Sequence, residues 1–151
     1  MKNECINVYL YPIMKTYLVS LGSNVDREEN MSRCRLLLGG YFSDITYSQM
    51  LETEPFGDDF TTMFYNQLAI INSDFDYEFV KQKLKSIEAE LGRKSTDKSQ
   101  GVVKMDLDVL AIDHQIIKRH DFERPYLNVL LHSFRELRPS VFYSEYLKAC
   151  I

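Results

Sequence analysis

An α+β domain, one antiparallel sheet with helices packed on it, is the fold class the sequence predicts, and three observations carry it. The hydrophobic period along residues 16–112 runs two, 3.6, two, two, 3.6, two. Clusters of Gly, Asn, Asp and Pro punctuate most of the changes of period. A length of 151 residues with 45% hydrophobic and 26% charged side chains suits a single domain with its own core. The order strand, helix, strand, strand, helix, strand, then helices, is the split βαβ layout of a ferredoxin-like domain. Residues 1–151 are accordingly read as one domain, with 1–15 as an N-terminal extension.

The first strand is Thr16 to Leu21, a β-rich run stopped by Gly22-Ser23-Asn24. A helix follows from about Val25 to Leu38. Asp26 and Glu29 have capping-box spacing, Met31, Cys34, Leu37 and Leu38 recur at helical intervals, and Gly39-Gly40 end the pattern. From Ile45 to Thr53 the period is near two, with Ile45, Tyr47 and Leu51 expected on one face. Pro55 to Asp59 forces a loop. The third strand, Phe64 to Asn72, sets Phe64, Asn66, Leu68 and Ile70 on one side and turns an Asn inward.

Asp76 caps an amphipathic helix in which Tyr77, Val80, Leu84, Ile87 and Leu91 step by three and four until Gly92. The polar stretch from Arg93 to Lys104 reads as a flexible loop without an element of its own. Met105 to Ile112 is the fourth strand and Asp113-His114 a turn. Helical patterns at Tyr126 to Leu137 and Val141 to Leu147 close the chain.

A net charge of −4 and a pI of about 5.4 argue against a chain-wide basic surface for nucleic acid. The apolar run Ile6 to Met14 is far below the roughly 20 residues of a membrane span. It also lacks the charge pattern and cleavage site of a secretory signal. Cys5, Cys34 and Cys150 form no C-x-x-C pair, so they read as apolar fillers, and a cytoplasmic location is expected.

The sharpest chemical signal is Asp106-Leu107-Asp108, two carboxylates two residues apart in an apolar strand. Alternation places both on one face with α-carbons about 6.5–7 Å apart, where mutual repulsion raises one pKa unless a cation intervenes. Such oxygen ligands suit Mg²⁺, which takes one or two carboxylates and completes its shell with water and phosphates. An exposed pair on an edge strand is the plainer alternative. Residues 81–104 carry seven basic side chains against three acidic, a local balance of +4. Basic residues running into a paired-carboxylate strand suit a polyphosphate with its metal, although a solvated helix face gives the same composition. P-loop, dinucleotide and zincin motifs are absent, and His114, His120 and His132 stand apart.

Taken together, these residues resemble the 6-hydroxymethyl-7,8-dihydropterin pyrophosphokinase family. The run Tyr17 to Asn24 is similar to its opening strand and turn, and Thr53 to Gly57 to its T-x-P-x-G loop. Phe64 to Asn66 resembles its F-x-N step, Ile87 to Arg93 its helix end, and Asp106 to Asp108 its D-L-D strand. The ordered set spans Tyr17 to about Pro139.

The resemblance implies a ferredoxin-like fold and transfer of pyrophosphate from MgATP to the pterin hydroxymethyl group, with release of AMP. It implies that Asp106 and Asp108 hold two Mg²⁺ ions and, with Arg93, are catalytic. Glu88 and Arg93 match nucleotide positions. Thr53, Phe56, Phe64 and Asn66 match the pterin site. The chain departs from the family at Ser95, Gln100, Val102, Val103 and Tyr126, which replace Arg, Trp, Pro, Arg and His. Lys98 and Lys104, with Lys94 and Arg124, are the candidate substitute charges for ATP. The expected partners are thus ATP and a hydroxymethyl-dihydropterin, with no nucleic acid and no membrane. The alternatives are a weakly active or non-catalytic paralogue that binds a pterin or nucleotide as a sensor or partner domain, and a plain interaction module.

Overall fold

The computed structural model describes residues 13–55 and 61–137. Strand β1 (Lys15–Ser23) leads into helix α1 (Arg27–Tyr41), then β2 (Asp44–Thr53), β3 (Phe64–Ser73), helix α2 (Tyr77–Glu90), β4 (Asp106–Ile112), β5 (Gln115–Ile116) and helix α3 (Pro125–Leu137). Short 3-10 turns occupy Lys98–Gln100 and Arg119–Glu123. The sheet order is β2-β3-β1-β4-β5 and every pairing is antiparallel. This is the α+β, ferredoxin-like arrangement that the order of periods predicts.

Two cores flank the sheet. Tyr17, Val19 and Leu21 of β1 pack with Met31, Cys34 and Leu38 of α1 and Val80, Leu84 and Ile87 of α2. On the other face Leu18, Leu68 and Leu110 pack with Leu127, Leu130, Leu131 and Phe134 of α3. Among the described residues this core takes in Leu18, Leu68 and Leu110 but not Gly22, Asn66, Asp106 or Asp108, which lie one or two steps further along the same face of their strands.

The capped start of α2 is as expected, since Asp76 Oδ1 accepts the Phe79 N–H at 2.9 Å. Four local expectations differ. Helix α1 starts at Arg27, with Asp26 in the left-handed region at φ 43° and no side-chain cap. Buried Asn30 instead donates its Nδ2 to the Val25 carbonyl at 2.8 Å. The helix also passes through Gly39-Gly40, which face open space, and ends where Phe42 turns extended and buries its ring. Tertiary packing of Phe42 outweighs the low helix propensity of glycine.

In β2 the register shifts between Tyr47 and Met50. Ile45 and Tyr47 consequently join the α1/α2 core and Leu51 the α3 core, not one common face. Ser48 fills the irregularity: its Oγ accepts the Leu68 N–H at 2.8 Å and its carbonyl accepts Gln67 Nε2 at 2.9 Å.

The polar loop is also more ordered than its composition predicts. Asp97 accepts the Lys94 N–H at 2.8 Å through its side chain, and its carbonyl accepts the Gln100 and Val102 N–H groups. The helical pattern at Val141 to Leu147, most of the N-terminal extension, Cys5 and Cys150 lie outside the described residues. No helix among the described residues is long and apolar enough to cross a membrane.

Candidate active site

The floor of the site is a row of three residues across three strands. Gly22 of β1 stands opposite Asn66 of β3 on one side and Asp106 of β4 on the other. One step along, Ser20 faces Leu68 and Asp108. Period-two alternation from Leu68 and Leu110 puts Asn66, Asp106 and Asp108 on the α3 side of the sheet, with the two aspartates on one face as the sequence predicts. Gly22 keeps the row open: a Cβ there would lie 3.0 Å from Asn66 Oδ1. Asn66 in turn donates Nδ2 to Thr53 Oγ1 at 2.6 Å, so the amide is fixed in orientation.

Above this row lies a cavity of about 330 Å³, the size of a small-molecule site. Its walls bring together Thr53, Phe64, Asn66, Arg93, Lys98, Asp106 and Asp108, seven of the ten candidate residues. Phe56 lies outside the described residues. Asp121, Arg124 and Tyr126, from the 3-10 turn and the start of α3, form a further wall.

Glu88 and Lys104 are not among the lining residues. Glu88 is nearly buried behind β4, where its Oε2 accepts the Leu107 N–H at 2.8 Å and Arg93 Nη1 at 2.9 Å. Burial pushes its carboxyl above the ordinary range, against the lowering influence of the Leu107 N–H and the Arg93 guanidinium. Lys104 turns back into the loop and donates Nζ to the Gly92 carbonyl at 2.8 Å, with Asp97 at 3.4 Å. The Lys94 N–H holds the Asp97 carboxyl below its usual value, and Lys104 adds to that. Both side chains brace the site from behind, a role that the resemblance does not imply.

Arg93 is anchored through one nitrogen. Its Nη1 reaches Glu88 Oε2, Asp106 Oδ1 at 3.0 Å and the Met105 carbonyl at 3.2 Å. Its Nε and Nη2 have no partner among the described residues, so those donors remain for a ligand in the cavity that Arg93 lines. Asp108 feels the opposite pressure. Burial, then the charge of Asp106, raises its carboxyl pKa, with Lys118 only partly offsetting. A carboxylate pair under that strain suits a divalent cation. Among the described residues no third carboxylate, His or Cys joins it, so such an ion would draw its other ligands from water and substrate.

The loop that roofs the cavity is pinned by buried Asn24. Its Nδ2 donates to the Gly101 carbonyl at 2.8 Å, its Oδ1 accepts the Val103 N–H at 2.6 Å, and its own N–H donates to the Val103 carbonyl at 2.9 Å. Sequence reasoning missed this clasp and the place of Asp121 in the wall, because neither a lone turn Asn nor a 3-10 turn leaves a hydrophobic period, whereas Arg124 and Tyr126 of the same wall were already marked out, as a candidate charge for ATP and as the residue at the family's His position.

Fold and cavity define a ferredoxin-like α+β domain whose described residues line a ligand-sized cavity with an amide end and a charged end. The chain belongs to the 7,8-dihydro-6-hydroxymethylpterin-pyrophosphokinase family, whose model matches residues 18–136. The family works in folate biosynthesis, and its enzymes use ATP and Mg²⁺. No curated protein matches the chain.

Proposed function

We propose that this protein transfers pyrophosphate from MgATP to 6-hydroxymethyl-7,8-dihydropterin. The observation that carries the reading is the register of Asn66, Gly22 and Asp106, which puts an oriented amide and a carboxylate pair on the floor of one cavity. Family membership supports the same chemistry.

The amide end takes the pterin. Asn66 pairs with the donor and acceptor edge of the heterocycle, Thr53 holds the amide, and Phe64 offers a ring face for stacking. The phosphate chain lies toward Arg93, Lys94 and Lys98. Asp106 and Asp108 would hold Mg²⁺, which when bound neutralises phosphate charge. Arg93 presents Nε and Nη2 to the phosphates, while Glu88 positions both Arg93 and the β4 backbone. In the reaction the hydroxymethyl oxygen attacks the β-phosphorus and forms the new O–P bond. The bond from that phosphorus to the oxygen bridging toward the α-phosphorus breaks, AMP leaves, and the hydroxyl proton passes to solvent.

A second reading, a paralogue that binds but does not turn over, is favoured by Ser95, Val102 and Val103, which line the cavity without charge. Product analysis separates the two. The proposal expects pterin diphosphate and AMP in equal amounts. Pterin binding with no product would leave the binding-only reading, and ADP in place of AMP would make the transferred group a single phosphoryl.

A further inference from the structure

The β2/β3 pair supplies the amide end of the cavity from one face and meets helix α1 with the other. In its register Thr53 stands opposite Phe64, Glu52 opposite Tyr65 and Leu51 opposite Asn66. Alternation sorts these pairs by face. Leu51 packs in the α3 core, so Asn66, Thr53 and Phe64 lie on that side, whereas Tyr65 packs against the α1/α2 core and Glu52 shares its side. Among the described residues β2 is an edge strand, so β3 alone pairs with the stretch that ends in Thr53.

One guanidinium spans the rear pair, Glu52 and Tyr65. Arg27, the first residue of α1, places Nη2 2.9 Å from Glu52 Oε2 and its guanidinium carbon 4.0 Å from the centroid of the Tyr65 ring. Its Nη1 is buried and has no hydrogen-bond partner among the described residues. A buried donor without a partner costs free energy, which contact with a ring face partly offsets. The chain entering β3 is tied to the turn ahead of α1 as well, since Thr62 Oγ1 donates to the Asn24 carbonyl at 3.4 Å. Arg27 does not line the cavity beneath which it sits. With Glu52 half exposed, the ion pair contributes little to global stability, and its consequence is positional.

We infer that Arg27 is a positioning residue for ligand binding at the amide end. By holding Glu52 of β2 and Tyr65 of β3 together from behind, it keeps Thr53 in register with Asn66, so that the 2.6 Å bond from Asn66 Nδ2 to Thr53 Oγ1 keeps the amide in one orientation. The inference rests on the reading of that end as the pterin site, and it extends the site to a residue on the opposite face of the sheet.

The test separates position from stability. Calorimetry measures the affinity for 6-hydroxymethyl-7,8-dihydropterin and, separately, for ATP with Mg²⁺ on the wild type, Arg27→Ala, Arg27→Lys and Glu52→Gln. Arg27→Ala is expected to weaken pterin binding about tenfold and to leave MgATP affinity within about twofold of the wild type. Arg27→Lys, which keeps a cation for both Glu52 and the ring, is expected to recover most of that loss. Glu52→Gln is expected to weaken the pterin about threefold. The side-chain amide of Asn66 gives a readout without ligand. Its proton signals in nitrogen-correlated NMR are expected to move toward those of exposed amides in Arg27→Ala and to stay in place in Arg27→Lys. Pterin affinity in Arg27→Ala equal to the wild type overturns the inference, as does an equal loss of pterin and MgATP binding. Should Arg27→Ala fail to fold, Glu52→Gln decides on the same terms. A wild type that binds no pterin counts against the pterin reading alone, because an unmoved Asn66 signal in Arg27→Ala would still overturn the positional role and a moved one uphold it.

Discussion

Arg93 Nη1 lies 3.0 Å from Asp106 Oδ1 while the same nitrogen holds Glu88 Oε2 at 2.9 Å, so one guanidinium joins a nearly buried helix carboxylate to a carboxylate on the cavity floor. Desolvation works against the charged guanidinium, but the hydrogen bond to Asp106 and the charges of Glu88 and Asp108 leave its pKa raised overall. Arg93→Ala would strand the Glu88 carboxylate. Because Arg93 itself is 38% exposed, water replaces part of the lost interaction, and the expected cost is about 1–3 kcal/mol in urea unfolding. Arg93→Lys is expected to recover only part of that, since an ammonium does not reproduce the fork. An Arg93→Ala variant as stable as the wild type would show that Glu88 is satisfied by the Leu107 N–H alone.

Gly22 tests the amide end. An added Cβ would meet Asn66 Oδ1 at 3.0 Å, and the φ of Gly22 is not in the left-handed region, so the backbone tolerates alanine. Gly22→Ala is expected to push the amide off its bond to Thr53 and weaken pterin binding by about 1–3 kcal/mol, with little change in Mg²⁺-dependent nucleotide affinity. Calorimetry with each ligand checks the split. Equal losses for both ligands would mean a general disturbance of the floor.

Asp108 sets stability against function. Burial and the charge of Asp106 raise its carboxyl above the ordinary aspartate value of 3.8. The folded chain therefore holds that proton more tightly than the unfolded chain. The associated stability is present below about pH 4 and is lost as pH rises through the raised value, so the native state is penalised at pH 7. Asp108→Asn removes the penalty. Thermal unfolding is expected to show equal stabilities near pH 4, a gain of about 0.5–2 kcal/mol at pH 7, and loss of the rise in Tm that Mg²⁺ with nucleotide gives the wild type. A less stable Asp108→Asn protein at pH 7 would contradict this.

Cys34 bears on the α1/α2 core. It is fully buried, and desolvation pushes its thiol pKa up to about 12. The native protein is expected to leave Cys34 unalkylated by iodoacetamide at pH 8.5 over hours, and peptide mass mapping reads that residue separately from Cys5 and Cys150. Rapid labelling at Cys34 would place a local opening of α1 well below the global unfolding free energy.

The placement of Asp106 and Asp108 was legible because a strand has period two, and the start of α2 because Asp76 supplies a side-chain cap. Other features depend on tertiary packing. Gly39 and Gly40 read as a stop, yet Phe42 draws the helix past them to bury its ring. Leu51 shares a sequence period with Ile45 and Tyr47, but the irregularity at Ser48 turns it to the other core. Glu88 carried a usable signal: it falls four residues after Leu84 on the apolar stripe of α2, a position where a carboxylate must find partners inside. For Lys104, which donates to the carbonyl of Gly92 twelve residues earlier, no local pattern gave notice.

The most direct measurement is AMP release from ATP and Mg²⁺ at high enzyme concentration, with 6-hydroxymethyl-7,8-dihydropterin added or withheld and Asp106→Asn run alongside. Pyrophosphate transfer predicts AMP that appears only with the pterin, matches pterin diphosphate in amount, and vanishes in Asp106→Asn. AMP absent from the wild type, in a sample that calorimetry shows still binds the pterin, would contradict the reaction and leave a site that binds without turnover.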